Sequence, residues 1–163
     1  MIDVLLWIVL VVSLITDLRE RRILNIVTLP AIAVGLVFHL FTDGWSGLLF
    51  SGGGFLVGGL LLFIPFALGG VGGGDVKLLA AIGALKGTGF VFSTFLFTCL
   101  AGGLIALSLL IKNRQLKMSL QRIGGATALK TLDTLDKGDI HHAFPYGVAI
   151  FIGTLCAYVW GRM

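Results

Sequence analysis

The sequence predicts an all-α membrane protein with six transmembrane helices and both chain termini on the outer side of the membrane. Of its 163 residues, 57% are hydrophobic and only 12% are charged, whereas a soluble domain carries about 25% charged residues. Several apolar runs reach the length that crosses a bilayer. The 24 glycines fit the same class, because small residues allow membrane helices to approach each other closely.

Six apolar segments follow one another along the chain. Most are long enough to cross a membrane as helices, although the first two are near the short limit. The fourth would reach only about 18 Å as a helix, against roughly 30 Å of hydrocarbon. The first segment has no basic region before it, so we expect it to be retained as a membrane helix. In chain order, the segments cover residues 2–16, 26–41, 48–68, 75–86, 90–111 and 145–160.

The distribution of basic residues supports six crossings within a single membrane domain, residues 1–163. If every segment crosses, only Lys86 and Arg162 fall on the outer face, and the other basic residues fall on the cytoplasmic face. If the fourth segment did not cross, the basic loop at about 112–144 would move to the outer face, and the excess of basic residues on the cytoplasmic face would be lost. The cytoplasmic set comprises Arg19, Arg21, Arg22, Lys77, Lys112, Arg114, Lys117, Arg122, Lys130 and Lys137.

The short fourth segment follows a glycine tract, residues 69–74. Non-helical backbone at membrane depth is tolerated only where it is buried in protein or lines a water-filled cavity. We therefore expect the fourth helix to border a thinned or water-filled region. The basic loops are expected to meet anionic lipid headgroups. They have no interleaved aromatic residues, so the sequence does not predict nucleic-acid binding.

Two acidic residues stand out because carboxylates are costly near hydrocarbon. Asp17 closes the first apolar run, and Asp75 opens the fourth, directly after the glycine tract. The predicted topology places both on the cytoplasmic side at similar depth. Residues without a Cβ atom would allow a substrate backbone to approach Asp75 closely. A phosphate-binding loop is disfavoured, because the required glycine-lysine pattern is absent.

Two neighbouring carboxyl groups can act as an acid and a base. Unit charges 4 Å apart repel by about 4 kcal/mol at an effective dielectric constant of 20. Such a pair holds one proton between its members at neutral pH, as in aspartic proteases. Asp75 is predicted at a helix N-terminus, where the dipole favours the anion, and Asp17 near a C-terminus. We therefore predict that Asp75 is ionised and Asp17 protonated in the resting state.

Other interpretations of the two aspartates remain open at this point. Asp17 could pair with Arg21 one helical turn away, and Asp75 could only cap a helix that starts at Val76. The chain could also be a small transporter whose paired carboxylates bind a cation, or a structural subunit of a secretion complex. His141 and His142 are adjacent and point apart on a helix, so no metal site and no cofactor are expected.

Three motifs together resemble the type IV prepilin peptidases, the GxGD class of membrane aspartic proteases. The stretch 72–79 is similar to the Gly-x-Gly-Asp-Val-Lys-Leu signature, and residues 17–25 are similar to the first-aspartate motif. That motif usually ends Ile-Pro-Asn, whereas Leu24 stands here in place of the proline. Residues 144–147 resemble the Pro-Tyr-Gly element before the last helix.

The resemblance implies a peptidase of the bacterial inner membrane that cuts prepilin or pseudopilin precursors on the cytoplasmic side. It implies that Asp17 and Asp75 are the catalytic pair. Larger members carry a cysteine tetrad linked to N-methylation; this chain has none, so we do not expect methyltransferase activity. Its size resembles the short branch that serves tight-adherence pili. The residues implied in substrate binding or positioning are Gly72, Gly74, Lys77, Asn25, Pro145, Tyr146 and Gly147.

A substrate helix is expected to pack laterally against the bundle. The sequence offers a small-residue groove at Gly54 and Gly58, four residues apart, for this contact. The acidic residues of the loop, Asp133, Asp136 and Asp139, are better candidates than its basic residues for contact with a basic leader.

Overall fold

The part of the protein that the structure describes is built from four α-helices. The computed structural model describes residues 1–112 and 146–161, and these residues contain no strand, which confirms the all-α class. The predicted loop at about 112–144 lies outside the described residues except for Lys112, as do Pro145 and the acidic and histidine residues of that loop. The helices are α1 (Ile2–Glu20), α2 (Asn25–Ala67), α3 (Gly73–Lys112) and α4 (Tyr146–Trp160).

The two long helices are each interrupted by one glycine. Gly44 has φ 61° and ψ −136° within α2, and Gly87 has φ 79° and ψ 178° within α3. Only glycine adopts such conformations without steric cost. The described residues therefore form six helical segments, with breaks where the sequence predicts the ends of its apolar runs. The first segment extends to Glu20 rather than to residue 16, so Asp17 lies within the last turn of α1.

Two of these helices are long and apolar enough to cross a membrane, namely α2 and the part of α3 from Gly73 to Ser108. Helix α4 is apolar but shorter. The chain divides into two compact units at Gly102. The first contains α1, α2, the start of α3 and α4. Of the second, the structure describes the end of α3, from Gly102 to Lys112.

The first segment of α3 is the centre of the first unit. Every residue from Leu78 to Leu85 is buried, whereas the other segments keep many large apolar side chains exposed. A helix that is apolar all round belongs inside a bundle. Other helices surround residues 78–85, so the thinned or water-filled region that we expect beside this short segment stays a prediction, and it concerns the ends of the segment. Cavities lie at the two ends of the segment, one at its first turn and one beside Lys86.

Glycine contacts explain how α2 approaches this central segment. A Cβ atom added at Gly54 would collide with the carbonyl oxygen of Gly83, and one added at Gly83 would collide with that of Gly54. At Gly58, an added Cβ would lie 2.5 Å from the Leu79 carbonyl oxygen. The expectation that Gly54 and Gly58 form a groove for substrate is therefore wrong, because the protein's own central helix fills that groove.

Side chains from α2 hydrogen-bond to the carbonyl groups near the break at Gly87. The Ser51 hydroxyl donates to the Ala84 carbonyl oxygen at 2.6 Å. His39 Nε2 lies 3.1 Å from the Leu85 carbonyl oxygen, which can only accept a hydrogen bond, so this nitrogen carries a proton. Carbonyl groups at an interrupted helix need such donors, because water does not reach them in an apolar bundle.

An ion pair closes the end of the bundle near this break. Lys86 Nζ lies 2.8 Å from Asp3 Oδ1 and 5.7 Å from the centroid of the Tyr158 ring. The contact joins the start of α1, the middle of α3 and the end of α4. At the other end, Asp17 contacts Gly147. Helix α1 is therefore antiparallel to the first segment of α3 and to α4.

Substitution of Gly54 by alanine is expected to destabilise the fold by roughly 1–3 kcal/mol, because the added methyl group meets backbone that cannot rotate away. The measurement is denaturant unfolding in detergent micelles, followed by circular dichroism. The matched control is Gly52→Ala on the same helical segment, where an added Cβ has nothing within 4 Å. We expect the control to retain or slightly gain stability. Equal stability of the two variants would contradict the packing argument.

Candidate active site

The two aspartates selected from the sequence line one cavity. Its volume is about 240 Å³, and it lies where the end of α1 meets the glycine tract and the first turn of α3. The structure therefore brings together two aspartates that the sequence analysis expected only on the same side and at similar depth. The cavity is lined by Asp17, Arg21, Arg22, Ile23, Gly72, Gly73, Gly74 and Asp75.

Asp17 is held by the last helix. Its side chain is on the buried face of α1, with 6% of the residue exposed. The backbone N–H of Gly147, at the start of α4, donates to Asp17 Oδ2 at 2.9 Å. A hydrogen bond to a charged acceptor is among the stronger kinds in proteins. This contact joins residues 130 positions apart and fixes the carboxyl group against the backbone of α4.

Gly147 is the residue type that this contact requires. A Cβ atom at position 147 would lie 2.6 Å from Asp17 Oδ2 and 3.0 Å from Asp17 Cγ. Any other residue would therefore push the carboxyl group out of place. The sequence analysis selects Gly147 by resemblance alone; the structure gives the physical reason, which is the close approach of the α4 backbone to Asp17.

Asp75 is held by the glycine tract before it. Helix α3 begins at Gly73, so Asp75 lies in its first turn and does not cap a helix that starts at Val76, as one interpretation proposed. The N–H of Gly72 donates to Asp75 Oδ2 at 3.2 Å, as an acidic residue at the third helical position does in a capping box. Asp75 Oδ1 is buried and has no hydrogen-bond partner among the residues that the structure describes.

The glycines of the tract also pack against the protein's own chain. A Cβ atom at Gly74 would lie 2.9 Å from Ile23 Cβ, and one at Gly73 would lie 3.3 Å from the Phe66 ring. At Gly72, it would lie 3.1 Å from Asp75 Oδ2. These glycines bring the two aspartate-bearing segments together, in addition to leaving the cavity open beside Asp75.

Tyr146 is placed near the same cavity. Its phenol lies within electrostatic range of the Asp75 carboxyl group and the Cys99 thiol, and its ring is partly buried against the apolar core. Pro145, which the sequence analysis selects together with it, lies outside the described residues. Within the described part of the Pro-Tyr-Gly element, Gly147 contacts Asp17 directly, and Tyr146 interacts with Asp75 electrostatically.

Lys77 and Asn25 meet each other rather than the cavity. Lys77 Nζ donates to Asn25 Oδ1 at 2.9 Å, in an exposed position. The contact ties the first turn of α3 to the start of α2, and neither residue is among those that line the cavity. Their location is consistent with positioning the two helix ends.

The sequence analysis does not select four residues of the cavity wall as site residues, namely Arg21, Arg22, Ile23 and Gly73. Arg21 has a left-handed backbone conformation, φ 51° and ψ 36°, and its N–H closes α1 by donating to the Asp17 carbonyl oxygen. This conformation turns the chain back across the end of α1. The only sequence signal was proximity to Asp17, because nothing in the pattern of charges predicts a left-handed arginine.

Comparisons with known proteins agree with these motifs. The type IV leader peptidase family matches residues 4–107, which include both aspartates and the glycine tract. A prepilin leader peptidase/N-methyltransferase from Bacillus subtilis (strain 168) is 30% identical over 155 residues, covering 93% of this chain and 52% of that protein. The chain thus spans about half the length of this curated relative. No solved structure matches it. The resemblance stated from the motifs is confirmed: the chain belongs to the type IV leader peptidase family.

Proposed function

We propose that the protein is a membrane aspartic endopeptidase that removes the leader from type IV prepilin or pseudopilin precursors. The observation that carries this proposal is the meeting of two buried carboxyl groups, Asp17 and Asp75, at one cavity. Membership of the leader peptidase family supports the choice of substrate, as does the curated relative, whose name includes prepilin leader peptidase. Asp17 and Asp75 are the proposed catalytic residues.

The proposed reaction is general acid–base hydrolysis of one peptide bond. The ionised carboxylate takes a proton from a water molecule as the water oxygen attacks the scissile carbonyl carbon. The other carboxyl group gives its proton to the carbonyl oxygen, which forms a tetrahedral diol. When the carbon–nitrogen bond breaks, the carboxyl group that holds the proton gives it to the departing amine, and the other carboxylate takes a proton from a diol hydroxyl as the new carboxyl product forms. The pair has then returned to one shared proton, and one water molecule has been consumed.

The helix ends and the surroundings of the two carboxyl groups favour opposite positions for the resting proton. Asp17 lies in the last turn of α1 and Asp75 in the first turn of α3, so the helix dipoles favour the anion at Asp75. The surroundings act the other way, because Asp17 accepts the N–H of Gly147, whereas Asp75 Oδ1 is buried without a partner among the described residues and burial favours the neutral carboxyl group. The pair titrates as a unit, and the reaction needs only that the two carboxyl groups hold one proton between them.

We further propose that six segments cross the bacterial inner membrane, with both termini outside and the cavity facing the cytoplasm. The antiparallel order of the helices supports this, because Asp17 and Asp75 lie at one end and Asp3 and Lys86 at the other. Cationic residues near the cavity suit the cytoplasmic side. Gly72, Gly74 and Gly147 shape the carboxyl environment, Tyr146 lies beside it, and Lys77 and Asn25 hold helix ends.

Replacing either aspartate is expected to abolish processing. Asp17→Asn and Asp75→Asn, each made singly, should lower the cleavage rate by about two to four orders of magnitude, since each removes the acid or the base. The measurement is the appearance of the shortened product by mass spectrometry after co-expression with a prepilin precursor.

The matched control is Asp43→Asn, an exposed acidic residue next to the break in α2, and it should process the precursor normally. Processing that persists in either single variant would rule out the aspartate pair as the catalyst. Cation flux through liposomes that contain the protein, without any cleaved product, would instead support the alternative that the protein is a small transporter.

Gly147→Ala is expected to reduce the cleavage rate by about a hundredfold, because its methyl group displaces the Asp17 carboxyl and small misplacements of catalytic groups have effects of this size. Gly89→Ala serves as the control, since an added Cβ there has nothing within 4 Å. Both variants should be checked for unfolding in detergent. Normal activity of folded Gly147→Ala would show that Asp17 does not need its present position.

The topology can be tested with single cysteines in a background that carries Cys99→Ala and Cys156→Ala. An impermeant maleimide added to intact spheroplasts should label Asp43→Cys, and should label Glu20→Cys only after lysis. Both positions are exposed, and they lie at opposite ends of the bundle. Labelling of Glu20→Cys in intact spheroplasts would place the cavity on the outer side.

A further inference from the structure

A second cavity lies at the end of the bundle opposite the two aspartates. Its volume is about 270 Å³, and its walls come from the start of α1, the middle of α3 and the end of α4. The proposed cleavage reaction does not use this cavity, because Asp17 and Asp75 line the other one. The residues that line it are Asp3, Lys86, Phe90, Tyr158 and Gly161.

The ammonium group of Lys86 has hydrogen-bonding capacity left in this cavity. Its Nζ atom lies 2.8 Å from Asp3 Oδ1, and it lies 5.5 Å and 5.7 Å from the ring centroids of Phe90 and Tyr158. An ammonium group has three N–H donors, and Asp3 is its one hydrogen-bond acceptor among the residues that the structure describes. The rings attract the charge but supply no oxygen acceptor at these distances. Lys86 can therefore bind a further anionic oxygen.

The cavity presents charges of both signs. A ligand with a single charge would be attracted by one member of the Lys86–Asp3 pair and repelled by the other. A ligand that carries an anion and a cation a few bonds apart can oppose both members at once. The Lys86 side chain is 25% exposed and the Asp3 side chain 50% exposed. The anionic group of such a ligand is therefore expected to lie further inside the cavity than its cationic group.

The surface around this cavity suits the boundary between lipid and water. Tyr158 lines the cavity, and Trp160, at the end of the same helix, is 68% exposed. Tyrosine and tryptophan are enriched at this boundary because their rings are apolar and carry one polar group. The helices that form the cavity also keep apolar side chains exposed, among them Val4 and Ile8 on α1 and Val159 on α4. These side chains offer an apolar surface to acyl chains beside the cavity.

We propose that this cavity binds the headgroup of a zwitterionic phospholipid that carries a phosphate and a primary ammonium group. The phosphate accepts a hydrogen bond from Lys86, and the ammonium group donates one to the Asp3 carboxylate. In such a lipid the phosphate is joined to the glycerol, and the ammonium group stands at the end of a short carbon chain. The site goes beyond the proposed peptidase activity. It requires that the chain lies in a membrane, and it does not depend on which face of the membrane this end meets.

Native mass spectrometry of the full chain in detergent tests the choice of lipid. The delipidated protein is titrated separately with dioleoyl phosphatidylethanolamine, phosphatidylcholine and phosphatidylglycerol. We expect one phosphatidylethanolamine to bind about tenfold more tightly than either of the others, the value of one hydrogen bond between charged groups. Choline has no N–H to donate to Asp3, and phosphatidylglycerol has no cation. Equal binding of the three lipids, as an unselective lipid shell would give, would overturn the proposal.

A soluble headgroup separates a lipid site from a site for a free phosphate compound. Glycerophosphoethanolamine carries the same charges without acyl chains, so it should compete weakly with the lipid, because it lacks the apolar contacts beside the cavity. Competition at concentrations equal to that of the lipid would show that the headgroup alone is the ligand, and the assignment to a phospholipid would be wrong.

Three variants test the residues. Asp3→Asn and Lys86→Met each remove one charge and should each weaken phosphatidylethanolamine binding about tenfold. The exchange of Asp3→Lys with Lys86→Asp restores an ion pair with the charges in the wrong order, so it should bind no better than the single variants. The matched control is Asp43→Asn, which removes an exposed acidic residue that does not line the cavity and should leave binding unchanged.

The folding of each variant is checked by thermal unfolding in the same detergent, and the exchanged variant keeps the ion pair that joins α1 to α3. Unchanged binding in folded Lys86→Met or in the exchanged variant would refute the proposal. None of these measurements involves proteolysis, so a protein that binds the lipid selectively and cleaves no precursor would retain this site while the proposed function fails.

Discussion

The close approach of α2 to the first segment of α3 sets the positions of most other groups. Gly54 and Gly83 allow two backbones to touch, and the central segment is consequently buried from Leu78 to Leu85. Asp75 stands at one end of this segment and Lys86 at the other. Each end is joined to α1, the first through the shared cavity with Asp17 and the second through the ion pair with Asp3.

One constraint explains the hydrogen bonds both at the helix breaks and at the carboxyl groups. In an apolar bundle, a polar group that water cannot reach must find its partner in the protein. Ser51 and His39 meet carbonyl groups near the break in α3. Backbone N–H groups of Gly72 and Gly147 meet the two aspartates. Both donors are glycines, at positions where an added Cβ atom would lie 3.1 Å (Gly72) and 2.6 Å (Gly147) from the accepting carboxyl oxygen.

The candidate site is therefore built from backbone as much as from side chains. Asp17, Asp75 and Gly147 come from three different helices, and each is held by a contact that a larger residue at a glycine position would disturb. Backbone N–H groups hold one oxygen of each carboxyl group in this site. Its opening is formed by the turn after α1, where left-handed Arg21 directs the chain back towards the glycine tract.

The sequence alone determined the all-α class, the apolar segments and the choice of two aspartates that meet at one end. These follow from composition, from segment length and from the cost of a carboxylate in an apolar region, which are properties of short stretches. Tertiary structure alone decided that Gly54 and Gly58 face the protein's own helix, that Gly147 donates to Asp17, and that two arginines line the cavity. The physical reason is helix rotation: the central segment is apolar on every side, so its pattern does not indicate which face meets which neighbour.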